Sequence, residues 1–124
     1  MIYLDTHVVV WLYAGKIEKL SEVSKELING HEVIVSPVVR LELQYLFEID
    51  RITDKANEIL FDLSDRIGLT ICDQSLNTIV SCALDLSWTR DPFDRMIVAN
   101  AAINQNNLIT KDQNILENYE KAMW

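Results

Sequence analysis

The chain has 124 residues, of which 49% are hydrophobic, and a formal net charge of −8 at pH 7. This length predicts one domain over residues 1–124, with enough apolar side chain for a real core, and the composition argues against disorder. The acidity argues against a general nucleic-acid-coating surface, since binding to phosphates normally draws on clustered Lys and Arg. It does not exclude a nuclease, because metal ions can supply positive charge locally.

The sequence predicts neither secretion nor a membrane span. The first residues carry no basic region, and no stretch approaches the roughly 20 uncharged apolar residues needed to cross a bilayer. Cys72 and Cys82 are the only two cysteines, and their spacing matches no zinc template. We therefore expect a cytoplasmic protein with reduced thiols.

Short apolar runs alternate with helical patterns along the whole chain. The helical patterns have apolar residues at three- and four-residue spacing, and stop signals at Gly15, Asn29-Gly30 and Gly68. The apolar runs predict four strands, at residues 2–4, 32–36, 69–72 and 108–110. The patterns between them predict helices at residues 6–14, 16–29, 38–49, 53–66, 76–86 and 91–104, with a last helical segment after the fourth strand.

Strands that alternate with helices predict parallel pairing through right-handed crossovers. The predicted fold is therefore an α/β three-layer sandwich, in which helices flank a central, mainly parallel sheet. In such folds ligands bind at the carboxyl ends of the strands, at the point where the strand order reverses. Residues that follow the strands are consequently the first candidates for a functional site.

Acidic residues follow the apolar runs at this edge. Asp5 ends the first run, Asp112 follows the fourth by two residues, and Asp73 follows the third in a similar way. Glu42 and Asp94 lie on helices that come after strands. Carboxylates that converge repel one another, so such a site is normally completed by a cation such as Mg²⁺ or Mn²⁺. Spacing alone admits Asp73 as readily as Asp112.

Two of these acids lie on the apolar faces of predicted helices. Glu42 is nearly opposite the polar stripe of its helix, so its charge is carried among apolar neighbours. Asp94 is followed one and two turns later by apolar residues, which places it on the stripe that faces the sheet. Charged side chains are seldom buried unless they are paired or bind a metal, which favours a functional role for Glu42 and leaves such a role open for Asp94.

Helix capping accounts for several of the same acids without any metal. Asp91, followed by a proline, is a natural N-cap, and an acid at position 94 is favoured by the exposed amides of the first turn. At the end of the first strand, either Asp5 or Thr6 can cap the next helix. Asp112 can cap the terminal helix in the same way. The residue pattern leaves both interpretations open.

The motifs of several other catalytic classes are absent. There is no Gly-rich phosphate loop, no G-x-S-x-G elbow, no C-x-x-C pair and no H-E-x-x-H. The two histidines are predicted to be a local hydrogen-bonding or packing residue, His7, and an exposed residue, His31. We predict core or interface positions, not base-stacking platforms, for the three tryptophans: Trp11, Trp88 and Trp124.

Four segments stand in the order and spacing of a known set of motifs. They are Ile2–His7, Ser36–Leu43, Arg90–Ala101 and Leu108–Asp112. Together they resemble the four motifs of the PIN-domain ribonucleases. In its length and in the residues of these motifs, the chain is similar to the VapC-like toxins of bacterial toxin–antitoxin pairs. The similarity spans essentially the whole chain.

The resemblance implies a PIN-like nuclease domain that hydrolyses RNA with the help of a divalent metal. It also implies a homodimer, and a cognate antitoxin whose basic segment occupies the acidic site. The residues that it implies are an acidic quartet that holds Mg²⁺ or Mn²⁺ (Asp5, Glu42, Asp94 and Asp112), an auxiliary acid (Asp91), and two hydroxyls near the site (Thr6 and Thr110).

Two other functions stay open at the level of sequence. A phosphatase or phosphotransferase would use Asp5 as a covalent nucleophile, but the haloacid-dehalogenase-like pattern has a second Asp two residues later, where this chain has His7. A non-catalytic interaction module would use the acids only to cap helices or to bind a structural ion. Cations near the motifs are candidates to contact phosphates: Arg40, Arg90, Arg95 and Lys111.

Overall fold

A computed structural model describes residues 1–124 as a sheet of five short strands flanked by seven α-helices. All four strand pairings are parallel, and the order across the sheet is β3-β2-β1-β4-β5. This arrangement confirms the predicted α/β fold. The strands are β1 (Ile2–Leu4), β2 (Val33–Val35), β3 (Thr70–Ile71), β4 (Asn107–Ile109) and β5 (Ala122–Met123).

Every helix except α4 begins after a residue whose side chain accepts a hydrogen bond from a backbone amide of the first turn. None of the helices has the length and apolar character needed to span a membrane. The helices are α1 (Thr6–Ala14), α2 (Glu22–Gly30), α3 (Pro37–Glu48), α4 (Ala56–Ile67), α5 (Leu76–Ala83), α6 (Pro92–Ala102) and α7 (Gln113–Asn118).

The helix predicted over residues 16–29 is wrong as one continuous element. A 3₁₀ turn at Ile17–Lys19 comes first, and α2 starts anew after Ser21. The Ser21 hydroxyl accepts a hydrogen bond from the Ser24 amide (3.0 Å), which makes Ser21 an N-cap. A serine cap in the middle of a helical pattern therefore divides it.

Two further boundaries differ because side chains bind the backbone there. Helix α4 begins at Ala56 instead of residue 53, and the amide of Ala56 donates to the Gln44 side chain (3.3 Å). Helix α5 ends at Ala83 instead of residue 86, where the Arg95 guanidinium donates to the carbonyls of Ala83 (3.0 Å) and Leu84 (3.3 Å). Both contacts come from other helices, so local sequence does not contain them.

Strand β1 lies at the point where the order of the strands reverses. Strand β2 pairs with one of its edges and β4 with the other, and every residue of β1 and β2 is buried. The Asp5 amide donates to the Ile109 carbonyl (3.0 Å), so pairing continues to the very end of β1. The carboxyl ends of β1 and β4 therefore open into the crevice where parallel α/β folds bind ligands.

Gly68 provides a test of how α4 ends. It adopts a left-handed conformation (φ 71°), and a Cβ there would meet nothing within 4 Å, so Gly68→Ala isolates backbone strain. We expect this substitution to lower the free energy of unfolding by about 1 kcal/mol in denaturant titrations. Gly30→Ala is the matched control: Gly30 is equally open but has no positive φ, so alanine should be neutral or stabilise by about 0.5 kcal/mol. Equal losses at both positions would contradict this account.

Candidate functional site

An open cleft of about 420 Å³ lies where β1 and β4 end. Asp5 and Asp112 reach it from the ends of the two strands, Glu42 from α3, and Asp91 and Asp94 from the start of α6. The structure thus brings all five acids of the sequence motifs to one place. The other residues that line the cleft are His7, Val8, Trp11 and Lys111.

Larger hollows of about 610 and 510 Å³ lie along α3 and α4. Glu58 is the only acid in the first, and the second has none. Size therefore does not mark the candidate site; the convergence of acidic side chains does.

Asp73, which spacing cannot separate from Asp112, does not line the cleft. It follows β3, the strand at the edge of the sheet, and β2 lies between β3 and β1. The order of the strands therefore distinguishes two acids that look equivalent in sequence.

Asp5 is anchored through both carboxylate oxygens. Its Oδ1 accepts from the Thr6 amide (2.8 Å) and its Oδ2 from the Thr110 hydroxyl (2.6 Å). The side chain is only 7% exposed. Burial raises the pKa of Asp5, and the two hydrogen bonds oppose this effect. Asp5 thus caps α1 and lines the cleft at once, so the two roles are compatible, and Thr110 orients it.

Glu42 is fixed by the other threonine. The Thr6 hydroxyl donates to Glu42 Oε1, so Thr6 links α1 to α3 while Asp5 is the cap of α1. Burial raises the pKa of Glu42; the Thr6 bond lowers it, and the charge of Asp5 raises it again. Glu42 is half-buried beside the fully buried Leu43, in agreement with its predicted place on the apolar face.

Asp94 has a strongly altered acidity. Its pKa rises from 3.8 to about 7, chiefly through burial and further through the charges of Asp91, Asp5, Asp112 and Glu42. Its own amide donates to Asp91 (3.2 Å), but its carboxylate accepts no hydrogen bond. The molecule's two salt bridges lie elsewhere, on α2 and α4. The acids of the cleft therefore repel one another without a paired cation.

Asp91 and Asp112 are both helix caps, as their places in the sequence allow. Asp91 Oδ1 accepts from the amides of Phe93 (2.9 Å) and Asp94 (3.2 Å), and Asp112 Oδ1 accepts from the Ile115 amide (3.0 Å). No hydrogen bond engages the second oxygen of either carboxylate. Each cap thus retains a free oxygen beside the cleft.

The donor set suits a hard divalent cation. Carboxylate oxygens are the ligands that Mg²⁺ and Mn²⁺ prefer, and Asp94 holds an unpartnered carboxylate among four others. No three acidic, His or Cys side chains stand at coordinating distances from a common point. Binding an ion would therefore require carboxylates to turn inward, which the unanchored Asp94 and the free oxygens of Asp91 and Asp112 permit.

Of the four cations predicted to contact phosphates, only Lys111 lines the cleft. The guanidinium of Arg95 binds carbonyls at the end of α5, that of Arg90 donates within its own loop (2.5 Å), and that of Arg40 donates to a side chain of α4 (2.9 Å). Three of the four thus serve local structure.

One of the two histidines and one of the three tryptophans line the cleft. His31 is exposed as predicted, with Nδ1 2.9 Å from the Leu27 carbonyl oxygen. His7 and Trp11, in contrast, both line the cleft. They are four residues apart on α1, and residues at this spacing share a helix face. This spacing places Trp11 on the same helix face as His7, which follows Asp5 by two residues, and it is the signal that could have placed Trp11 near the acids.

Asp94 makes the stability of the metal-free protein depend on pH. Between about pH 4 and pH 7 the folded state keeps a proton that the unfolded state has lost, so stability falls as pH rises through this range. We expect Asp94→Asn to melt at a higher temperature than the wild type in EDTA, by a margin that grows across the same range. Asp73→Asn, which removes an acid outside the cleft, is the control; a margin that does not change with pH would contradict the raised pKa of Asp94.

Comparison with known proteins agrees with this architecture. The PIN domain family model matches residues 2–121. Among solved structures, the chain is similar to one in the complex of VapBC2 from Rickettsia felis bound to a DNA fragment from their promoter, with a TM-score of 0.66 and 20% identity over 95% of this chain and 93% of that one. It is also similar to a chain of a toxin–antitoxin complex from Klebsiella pneumoniae, with a TM-score of 0.70 and 15% identity over 100% of this chain and 97% of that one.

No curated protein matches the sequence significantly. The two structural similarities, at 20% and 15% identity, concern the fold. The family match, however, extends over nearly all of the sequence and includes every acid of the cleft. The chain therefore belongs to the PIN-domain family.

Proposed function

We propose that the protein is a divalent-metal-dependent endoribonuclease, with one PIN-like nuclease domain over residues 1–124 that acts in the cytoplasm. The observation that supports it is the convergence of Asp5, Glu42, Asp94 and Asp112 in one cleft, where their charges help to raise the pKa of Asp94. Such a site is electrostatically incomplete without a cation. Membership of the PIN family supports nuclease activity, and PIN domains generally use divalent metal ions.

In this proposal the acidic quartet holds Mg²⁺ or Mn²⁺, and Asp91 is an auxiliary acid. A bound divalent ion would supply positive charge for the phosphate oxygens and make a water molecule easier to deprotonate. Thr110 keeps Asp5 in place, and Thr6 does the same for Glu42. Asp94, with a pKa of about 7, holds a proton part of the time at neutral pH and would give it up to solvent if a cation bound beside it.

The geometry disfavours the two other functions. Both oxygens of Asp5 already accept hydrogen bonds within a buried setting, which is a poor arrangement for a covalent nucleophile. Capping alone does not explain Glu42, in the middle of α3, or Asp94, which accepts no hydrogen bond from the α6 amides. Metal-assisted hydrolysis gives each of these three acids a role.

Purified protein should cleave RNA when Mg²⁺ or Mn²⁺ is present and lose this activity in EDTA. Asp5→Asn, Glu42→Gln and Asp94→Asn should each slow cleavage about 100-fold or more, the size of effect that follows loss of one electrostatic group at a reaction centre. Asp73→Asn is the matched control and should cleave at the wild-type rate. Labelled single-stranded RNA, structured RNA and DNA of the same sequence, followed on denaturing gels, measure both rate and substrate class.

Two results would defeat this assignment. One is cleavage that survives EDTA or that Asp5→Asn leaves unchanged. The other is a phospho-aspartyl adduct on Asp5, which would favour the phosphatase instead.

We infer in addition a cognate antitoxin and a homodimer. The similarity in fold to chains of toxin–antitoxin complexes supports the first, as does an acidic cleft that would attract a basic segment. The homodimer is supported by an apolar stripe along α5 and its C-cap, Leu84. Leu76, Val80 and Leu84, four residues apart, are 65%, 38% and 69% exposed there.

Light scattering of the purified protein should give twice the 14.3 kDa of one chain. Leu84→Arg should yield a monomer that still melts cooperatively, because it places a charge in the stripe without touching the core. Phe61→Arg, on a residue of α4 that is 79% exposed, is the control and should stay dimeric. Co-expression with the neighbouring open reading frame should yield a complex that does not cleave RNA. A monomeric wild type would contradict the homodimer. Protein that still cleaves RNA after such co-expression would contradict the antitoxin.

A further inference from the structure

Two tryptophans and two lysines form a cluster beside the acidic cleft, here named the Trp11 cluster (Trp11, Trp124, Lys19 and Lys111). The two indole rings meet edge to face, with centroids 5.8 Å apart at 64°. Lys111 Nζ lies 6.0 Å from the Trp11 ring centroid and 5.9 Å from that of Trp124, and Lys19 Nζ lies 5.8 Å from that of Trp11. Because Trp11 and Lys111 also line the cleft, the cluster and the cleft are continuous.

The lysines of the cluster have no acidic partner. The chain has 19 acidic residues and 11 Lys and Arg residues, so acidic side chains that could pair with a lysine outnumber the cations. Nevertheless neither Lys19 nor Lys111 forms a salt bridge, and both are exposed. Lys111 therefore brings a positive charge to a cleft that otherwise offers a polyanion mainly carboxylates, and Lys19 brings a second one to the Trp11 ring.

The indole rings are only partly covered. Trp11 and Trp124 pack against the core on one side and are intermediate in exposure. The His7 ring, whose centroid is 6.3 Å from that of Trp11, extends the aromatic surface along the wall of the cleft. The sequence predicts a core or interface role for the tryptophans. Trp11 goes beyond that role, since it packs against the core and also lines the cleft.

We propose that the Trp11 cluster is a subsite for single-stranded RNA, in which the Trp11 indole stacks on an unpaired base next to the cleaved bond and Lys111 and Lys19 contact flanking phosphates. The inference rests on the proposed nuclease function, because it states where the substrate lies relative to the acids. Aromatic rings combined with cations are the usual platform for single strands, and stacking tolerates any base. The two lysines would repel the kind of basic peptide that the acids attract, which favours RNA as the occupant.

The test measures binding separately from cleavage. Anisotropy of a labelled single-stranded RNA of about 12 nucleotides reports binding to the Asp94→Asn protein, which is expected to bind without cutting. In that background Trp11→Leu should weaken binding about 5- to 100-fold, the range for loss of one stacked base. Trp11→Phe keeps a flat ring and should restore most of the affinity. Thermal melting of each variant verifies that it is folded.

Lys111→Gln supplies a second readout that a purely structural residue would not change. Loss of one phosphate contact should reduce the slope of log affinity against log salt by about 0.7. Lys121→Gln is the matched control, because Lys121 directly precedes β5 and so lies at the opposite end of the strands from the cleft. In the cleaving protein, Trp11→Leu should raise KM more than it lowers kcat.

The outcomes distinguish the subsite from the nuclease. Binding of single-stranded RNA that depends on Trp11, in a protein that cuts no RNA, would support the subsite and defeat the proposed activity. Cleavage by the wild type with affinity, salt slope and KM unchanged in Trp11→Leu and Lys111→Gln would overturn the subsite. The subsite would also be overturned if both variants still bound RNA but no longer bound the co-expressed partner protein.

Discussion

Carboxylates that repel one another are held together at the end of β1, and two threonine hydroxyls hold them. Thr110 binds Asp5 and Thr6 binds Glu42, and both threonines are fully buried. Asp5 cannot turn toward solvent without leaving hydrogen bonds unmade, so the repulsion is not relieved by movement of that side chain. After burial, it contributes to the raised pKa values of Asp5, Glu42 and Asp94, and of these three only Asp94 has no hydrogen bond to its carboxylate. A proton or a cation is then what balances the site.

The fold offsets part of this cost by giving the same acids a structural use. Asp5, Asp91 and Asp112 each accept hydrogen bonds from the amides at a helix start, where a negative charge is favourable. Three helices therefore begin at the cleft, and their partial positive charges face the carboxylates. Burial is the main cause of the raised pKa values of Asp5, Glu42 and Asp94 alike. Asp94 lies in the first turn of α6, but its carboxylate accepts no hydrogen bond, so it would gain most from a bound cation.

The sequence predicts those parts of the molecule that depend on local patterns. Period and cap chemistry predict the parallel α/β sheet and the burial of Glu42, because helix faces and helix starts are properties of neighbouring residues. Strand β5 is missed, since two residues are too few to show a period, and its bonds come from β4. Spacing leaves Asp73 and Asp112 equivalent, and the resemblance in motifs favours Asp112; the physical reason is the order of the strands, which is a tertiary property. The contact of Arg95 with α5 is missed for the same reason.

The separation of charges around the cleft is as important as the acids themselves. A lysine ammonium placed among the carboxylates would neutralise them from within and compete with a divalent ion for the same oxygens. Lys111 directly precedes Asp112 in the chain and is long enough to do so, yet its ammonium lies near two indole rings, which attract a cation through their faces. The tryptophans thus give Lys111 a partner that is not a carboxylate. The Trp11 cluster keeps the acids free for a metal ion and, by the same contact, holds positive charge where a phosphate chain would pass.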